Sequence, residues 1–194
     1  DLLSISGHKI GGPKGMGAVI LGRRFERRTP KLGSFIVGSS QQEGIRPGTV
    51  PIPLVGTLAS AIVWGIENFN KNTDHLLTLR THLIEKLPKH ALLNGPKDIS
   101  RSSMFRAPQT VSFSLPGLPS AVVVEALAAH GICVSAGSAC YSANPKPNQT
   151  LLKMKVPIES AISAVRISFS VKNTTSEIDL FLTALNKAIK NYRA

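Results

Sequence analysis

The sequence predicts a mixed α/β fold in two parts, the end of a larger domain followed by a smaller α+β domain. Residues 1–22 contain two short extended segments around a turn rich in glycine and proline. Residues 54–69 place apolar side chains near helical spacing and predict a helix packed against something large. Residues 110–192 follow the order strand, helix, strand, strand, helix, which is typical of a compact α+β unit. We therefore predict domains over 1–69 and 70–194.

The chain between these segments supplies further elements. Residues 23–50 are basic, polar and glycine-rich, and they predict mostly loop. A polar break over 70–74 precedes leucines at helical spacing, and Pro88 ends that predicted helix. The Asn94-Gly95 pair predicts a turn.

Three extended segments are predicted in the second part. Residues 111–115 and 165–169 alternate between apolar and other side chains, as half-buried strands do. Residues 132–134 are an apolar run that predicts a short buried strand, and Cys133 within it is predicted to lie in the core.

Two helices complete the second part. Ser120 is placed to cap a helix over 121–130, which Gly131 would end. Thr174 and Glu177 have the spacing of a capping box and open the last helix. The apolar stripe of this last helix is predicted to comprise Ile178, Phe181, Leu182, Leu185, Ile189 and Tyr192.

Composition limits the cellular setting. No run in the 194 residues approaches the roughly 20 apolar residues that a membrane span needs. The two cysteines, Cys133 and Cys140, argue against a disulfide scaffold and suit a reducing compartment. We expect a cytoplasmic protein without a membrane partner. The chain opens at Asp1 and not at Met, so an original N-terminus carrying an organellar address can be missing.

The net charge of +12 raises nucleic-acid binding as an alternative function. The basic residues are scattered along the chain, however, and two tyrosines with one tryptophan provide few surfaces for base stacking. We expect weak, non-specific retention and no specific nucleic-acid partner.

Lys9 is the candidate for covalent chemistry, because it directly precedes the turn rich in glycine and proline. A lysine held there can form a Schiff base with an aldehyde cofactor and, once released, move protons. Ser6 and His8 flank it with donors that could hold a phosphate. The alternatives are a solvated loop lysine and a histidine satisfied by a backbone partner.

Three further side chains are candidates for the same site. Cys140 lies among small polar residues, which predict an exposed, mobile loop and a nucleophilic thiol. Arg166 lies on the polar face of a strand, where it could clamp a carboxylate or form a surface ion pair. The loop over 38–49 could present Thr49 to a phosphate. No CxxC or HxxxH pair is present, and no metal site is predicted.

Four motifs stand in one order: S-G-H-K-x-x-G-P-K-G-x-G, R-P-G-T, S-A-G-S-A-C-x-S and V-R-I-S. Together they resemble the cysteine desulfurases of the NifS/IscS type, which are pyridoxal-phosphate enzymes of the class V aminotransferase superfamily. The resemblance covers essentially the whole chain and is to the C-terminal portion of that family. It implies the fold of type I pyridoxal-phosphate-dependent transferases, with the end of the large domain and the small C-terminal domain present.

The resemblance also implies roles for residues of the first part. Lys9 would carry pyridoxal 5'-phosphate, and Ser6, Gly7 and His8 would contribute to cofactor binding. Thr49 would reach the phosphate of the cofactor in a partner subunit, which implies a homodimer.

Arg166 would bind the carboxylate of the substrate, L-cysteine, and Cys140 would receive its sulfur as a persulfide. L-Alanine would leave, and the sulfur would pass to a scaffold or relay protein, for uses such as iron–sulfur cluster assembly or tRNA thiolation.

The sequence departs from the family pattern in places. A G-G-G-Q-E segment is replaced by the sequence of residues 38–43, and a proline-serine-histidine tract by that of 147–149. The family's aspartate partner of the pyridine nitrogen, its ring-stacking histidine and its first strands precede the lysine, so we expect them upstream of Asp1. A selenocysteine lyase and a truncated, non-catalytic sulfur-transfer module are the alternative interpretations.

Overall fold

A computed structural model describes residues 2–23, 36–96, 106–136 and 147–193. The chain divides into two compact units, Asp1–Phe69 and Asn70–Ala194. The mixture of helices and strands confirms the predicted α/β class. The assignment of the two units to a large and a small domain stays a prediction.

The first unit contains a β-hairpin and one long helix. Strands β1 (Leu2–Ser6) and β2 (Gly17–Leu21) pair antiparallel, with Ser6 opposite Gly17. A 3-10 helix, Gly7–Ile10, follows β1 directly and begins the connection to β2. Helix α1 (Ile52–Glu67) begins with a proline in its first turn, where the missing N–H costs no helical hydrogen bond. The two predicted extended segments and the predicted helix are confirmed. The packing predicted for this helix stays a prediction, because its buried residue is Leu58, whereas Trp64 and Ile66 are exposed.

The second unit contains a four-stranded antiparallel sheet in the order β3-β4-β6-β5. Its strands are β3 (Leu92–Leu93), β4 (Thr110–Ser114), β5 (Ser135–Ala136) and β6 (Ala164–Ser168). Its helices are α2 (Phe69–Lys86), α3 (Ser120–Ala128), α4 (Gln149–Lys153), α5 (Ile158–Ile162) and α6 (Thr175–Arg193).

One face of this sheet forms the main core. Val111 and Phe113 on β4 and Val165 on β6 are fully buried, so the predicted alternation of both strands is confirmed. Helices α2, α3 and α6 contribute the apolar residues that pack in the same cluster, including Leu79, Leu83, Val123, Leu127, Phe181 and Leu185. Burial of this apolar surface is the main stabilising contribution in this unit.

Two predictions about helix ends were wrong. The polar run over 70–74 lies inside α2, because the burial of Leu77, Leu79 and Leu83 on this helix outweighs the weak helix propensity of its first turn. Ser120 does not cap α3, because its Oγ donates to the carbonyl oxygen of Ile162 at 2.8 Å.

Two burial predictions were also wrong. Cys133 is exposed, whereas the neighbours on either side, Ile132 and Val134, pack against the core and leave no room for all three side chains there. Tyr192 is 47% exposed, and Ile189 is the last buried residue of the predicted apolar stripe of α6. The strand predicted over 132–134 forms later, at Ser135–Ala136.

The capping box of α6 is confirmed in both directions. The backbone N–H of Glu177 donates to Thr174 Oγ1 at 3.3 Å, and the backbone N–H of Thr174 donates to Glu177 Oε2 at 2.7 Å. These bonds satisfy donors that the first turn of a helix leaves open.

Among the residues that the structure describes, no single helix has the length and apolar character needed to cross a membrane. The consecutive helices α1 and α2 pass that test only when they are counted together, on length and composition alone.

Candidate functional site

The turn between β1 and β2 is fixed by backbone hydrogen bonds. The N–H of Gly7 donates to the carbonyl oxygen of Met16 at 2.9 Å, which closes the connection across the hairpin. The N–H of Gly12 donates to the carbonyl oxygen of Gly7 at 2.8 Å. Gly11 lies between these bonds at φ 85°, a conformation that favours glycine. The glycine at position 11 is therefore favoured by the geometry of the turn.

Gly7 is the buried residue of this turn, and it has no room for a side chain. A Cβ at this position would lie 2.8 Å from the carbonyl oxygen of Met16 and 3.1 Å from Cδ1 of Leu58. Leu58 is the buried residue of α1, so the helix packs directly beneath the turn. This contact fixes the backbone that presents the next two side chains.

His8 and Lys9 follow Gly7 on the exposed side of the 3-10 helix. Ser6 Oγ and His8 Nδ1 are 3.2 Å apart and form a hydrogen bond whose donor depends on the histidine tautomer. The histidine thus has a side-chain partner and not the backbone partner that was the alternative. The arrangement places a hydroxyl, an imidazole and an accessible amine on one short, rigid segment.

Thr49 also lies in the first unit, three residues before α1 begins, and its side chain is exposed. Gly48 precedes it at φ 105°, a conformation that a residue with a side chain rarely adopts. The glycine of the R-P-G-T motif therefore has a backbone role, while the hydroxyl of Thr49 is free to reach solvent.

Arg166 lies on β6 in the second unit, on the face opposite the main core. Its direct neighbours in the antiparallel register are Ser112 on β4 and Ser135 on β5. Its side chain is half-buried, and the buried Nε has no hydrogen-bond acceptor among the described residues. A buried donor left open costs about 1–3 kcal/mol, and a bound anion would satisfy it. A carboxylate is one acceptor that suits this position, and the roles given to Arg166 by the sequence, a carboxylate clamp or a surface ion pair, stay predictions.

Cys140 lies outside the described residues, so its predicted loop and thiol position stay predictions. Within the described parts of the chain, the side chains of histidine, cysteine, aspartate and glutamate form no cluster that could hold a metal ion.

The structure thus brings Ser6, Gly7, His8 and Lys9 together in one turn of the first unit, which also contains Thr49. Sequence reasoning missed two relationships around these residues. The contact of Leu58 with the turn has no motif, because it joins distant segments. The position of two serines beside Arg166 was also missed, because it depends on which strands pair. The sequence signal for it was Ser112, a polar residue in an alternating strand.

The family model described as aminotransferase class V matches residues 1–181 of the chain. The chain is 38% identical over 197 residues to a cysteine desulfurase IscS of Clostridium botulinum, an alignment that covers 100% of this chain and 47% of that protein. It is 33% identical over 196 residues to a cysteine desulfurase IscS of Dictyoglomus turgidum, with 100% and 47% covered. The chain therefore spans about half the length of the curated relatives it matches.

Solved structures agree with this similarity. A NifS-like protein from Rickettsia africae superposes with a TM-score of 0.81 at 27% identity, covering 98% of this chain and 48% of that one. DndA from Streptomyces lividans superposes with a TM-score of 0.64 at 30% identity, covering 87% and 46%. The prediction that this chain corresponds to the C-terminal portion of such proteins stays a prediction.

Proposed function

The chain belongs to the class V aminotransferase family, and from that premise we propose that the protein which carries it is a pyridoxal-phosphate-dependent cysteine desulfurase. It would convert L-cysteine to L-alanine and transfer the sulfur to Cys140. The names of the curated relatives favour this activity over a selenocysteine lyase or a non-catalytic module.

The geometry of the Lys9 turn is the observation that carries the proposal. The buried Gly7, which would be displaced by any Cβ, fixes the backbone directly before an exposed lysine. A fixed and accessible amine suits attachment to an aldehyde. The linked pair of Ser6 and His8 supplies donors for phosphate oxygens. This donor set fits pyridoxal 5'-phosphate, which when bound supplies an aldehyde and a ring that accepts electrons from the substrate.

Lys9 has two tasks in this proposal. Its amine would hold the cofactor through the aldehyde, and while not so engaged it would be a free base. The free amine then removes the proton from the substrate Cα, since it remains tethered beside that carbon. Ser6 and His8 hold the phosphate end throughout, and Thr49 contributes from the partner subunit of a homodimer.

Arg166 orients the substrate. The guanidinium is planar and presents paired N–H groups, which match the two oxygens of a carboxylate. The strand that carries it pairs on both sides, so the side chain starts from a rigid backbone. The open Nε supports a carboxylate as its natural acceptor.

Cys140 receives the sulfur in this proposal. Its thiolate attacks the sulfur of the substrate, and the bond between that sulfur and the substrate Cβ breaks as the new S–S bond forms. The Cβ takes up a proton, Lys9 returns the proton to the Cα, L-alanine leaves, and the sulfur stays as a persulfide. A sulfur-acceptor protein would then collect it in the cytoplasm, for uses such as iron–sulfur cluster assembly or tRNA thiolation.

The test follows alanine and persulfide together after L-cysteine is added to the protein that carries this chain. We expect alanine and a sulfane sulfur mapped by mass spectrometry to Cys140. Cys140→Ala should lose the persulfide, whereas Cys133→Ala, at the other cysteine, should retain it. Alanine production from selenocysteine alone, surviving Cys140→Ala, would instead favour the lyase.

A further inference from the structure

The loop that leads to Thr49 is closed by one side chain. Gln41 Oε1 accepts a hydrogen bond from the backbone N–H of Gly48 at 3.2 Å. Ser39 Oγ donates to the same oxygen. A single amide oxygen therefore joins the beginning of the loop to the residue directly before Thr49.

The chain between these two ends is strained. Gln42, Glu43 and Gly44 have φ angles of 53°, 58° and 75°, all in the left-handed region. Residues with a side chain rarely adopt this conformation, and they keep it only where surrounding contacts enforce it. The N–H of Gly44 donates to the carbonyl oxygen of Ser40 at 3.1 Å, which accounts for one such contact. The Gln41–Gly48 bond supplies another.

The end of the loop next to Thr49 is also restricted by a contact between Pro47 and Gly38. Pro47 is buried, and a Cβ built on Gly38 would lie 2.6 Å from Pro47 Cβ. Pro47 has a fixed φ, and Gly48 holds φ 105° while donating to Gln41. These contacts restrict the backbone of Gly48, and the exposed Thr49 takes its direction from that backbone.

From these contacts we infer that Gln41 is a positioning residue for phosphate binding. Its amide oxygen fixes Gly48, and through it the hydroxyl of Thr49, for donation to the phosphate of pyridoxal 5'-phosphate in the partner subunit. The inference rests on the proposed function and adds a residue that acts through Thr49.

The test compares two ligands, pyridoxal 5'-phosphate and pyridoxal, which lacks the phosphate. Gln41→Met keeps the length of the side chain and removes the amide oxygen. We expect it to raise the Kd of pyridoxal 5'-phosphate about fivefold, the size of one hydrogen bond, and to leave the Kd of pyridoxal within about twofold. Gln42→Asn, at the next residue and compatible with positive φ, is the matched control and should change neither Kd.

Two further measurements separate positioning from general damage. Amide exchange at Gly48 should become faster in Gln41→Met and stay near the wild-type rate in Gln41→Glu, which keeps an acceptor oxygen. Thr49→Val should weaken pyridoxal 5'-phosphate binding, and Gln41→Met added to it should cause little further loss, because both act through one hydroxyl.

The inference would be overturned if Gln41→Met weakened the binding of both ligands equally or left the Kd of pyridoxal 5'-phosphate unchanged. Unchanged amide exchange at Gly48, or additive losses in the double variant with Thr49→Val, would also overturn it. If the wild-type protein binds the cofactor but one of these contrary results is found, the role of Gln41 is overturned and the proposed function stands. A wild-type protein that binds no pyridoxal 5'-phosphate would overturn both.

Discussion

The side chains of Asn94 and Ser114 are joined inside the second unit, where Asn94 Nδ2 donates to Ser114 Oγ at 3.0 Å. Ser114 Oγ in turn donates to the carbonyl oxygen of Ser160 at 2.6 Å. All three residues are buried. The chain of bonds ties the turn that follows β3 to β4 and to α5, on the same sheet face that carries Arg166.

Asn94→Leu should destabilise the protein by about 2 kcal/mol, because it leaves the buried Ser114 hydroxyl without one of its partners and removes the link to the turn. Ser112→Ala, which removes a half-buried acceptor of the same asparagine, should cost less than about 1 kcal/mol. Urea unfolding followed by circular dichroism measures both. Equal losses in the two variants would contradict the role given to the buried bond.

Glu177 should make the stability of α6 depend on pH. Its pKa lies below the ordinary value of 4.5, first because the backbone N–H of Thr174 donates to the carboxylate and then because Asn173 does. The stabilisation is therefore complete above the unfolded pKa and is lost as the pH falls through the lower, folded pKa.

Glu177→Gln should accordingly reduce the urea midpoint at about pH 7 and leave it nearly unchanged at about pH 3. Glu125→Gln, at an exposed position on α3, is the control and should have little effect at pH 7. A deficit in Glu177→Gln that is larger at pH 3 than at pH 7 would be the wrong sign for this account.

Local sequence signals predicted much of this fold. The capping box at Thr174 and the alternation around Phe113 and Val165 are encoded within a few residues, and the structure confirms them. The polar start of α2 could not be read locally, because long-range burial of Leu79 and Leu83 stabilises that helix. Cys133 was misplaced for a similar reason, since only the position of the core decides which side of a short extended run faces solvent.

In the candidate site, too, local sequence motifs could be predicted and long-range contacts could not. Motif spacing and family resemblance selected Lys9, Thr49 and Arg166, and the structure adds the contacts that explain their surroundings. The Gln41–Gly48 bond closes a loop whose shape depends on three consecutive positive φ angles. The pattern of apolar and polar residues in the sequence does not predict such a conformation.

Gly7→Ala tests the rigidity of the Lys9 turn. The new Cβ would overlap the carbonyl oxygen of Met16. This oxygen belongs to the backbone, so relieving the overlap would require a shift of the turn itself. We expect the Kd of pyridoxal 5'-phosphate to rise at least about tenfold, as a displaced turn would misplace Ser6 and His8.

Gly65→Ala is the matched control, because a Cβ at this position of α1 meets nothing within 4 Å. It should leave the cofactor Kd unchanged and stabilise the protein by about 0.5–1 kcal/mol through helix propensity. A Gly7→Ala protein with wild-type cofactor affinity would refute the requirement for a side-chain-free position.

Arg166→Lys should raise the KM for L-cysteine by about tenfold or more, because an ammonium cannot make the paired bonds of a guanidinium to a carboxylate. The Kd of pyridoxal 5'-phosphate should not change, since Arg166 is assigned to the substrate. Steady-state kinetics and cofactor titration distinguish the two effects. A loss of cofactor binding with an unaltered KM would reassign this arginine.

The attachment of the cofactor to Lys9 is the central claim, and one measurement tests it most directly. The protein that carries this chain, loaded with pyridoxal 5'-phosphate, is reduced with borohydride, digested and analysed by mass spectrometry. We predict a phosphopyridoxyl group on Lys9 and its loss in Lys9→Ala, while Lys14→Ala retains it. A group found on Lys14 or another lysine, or no stable modification at all, would contradict the account.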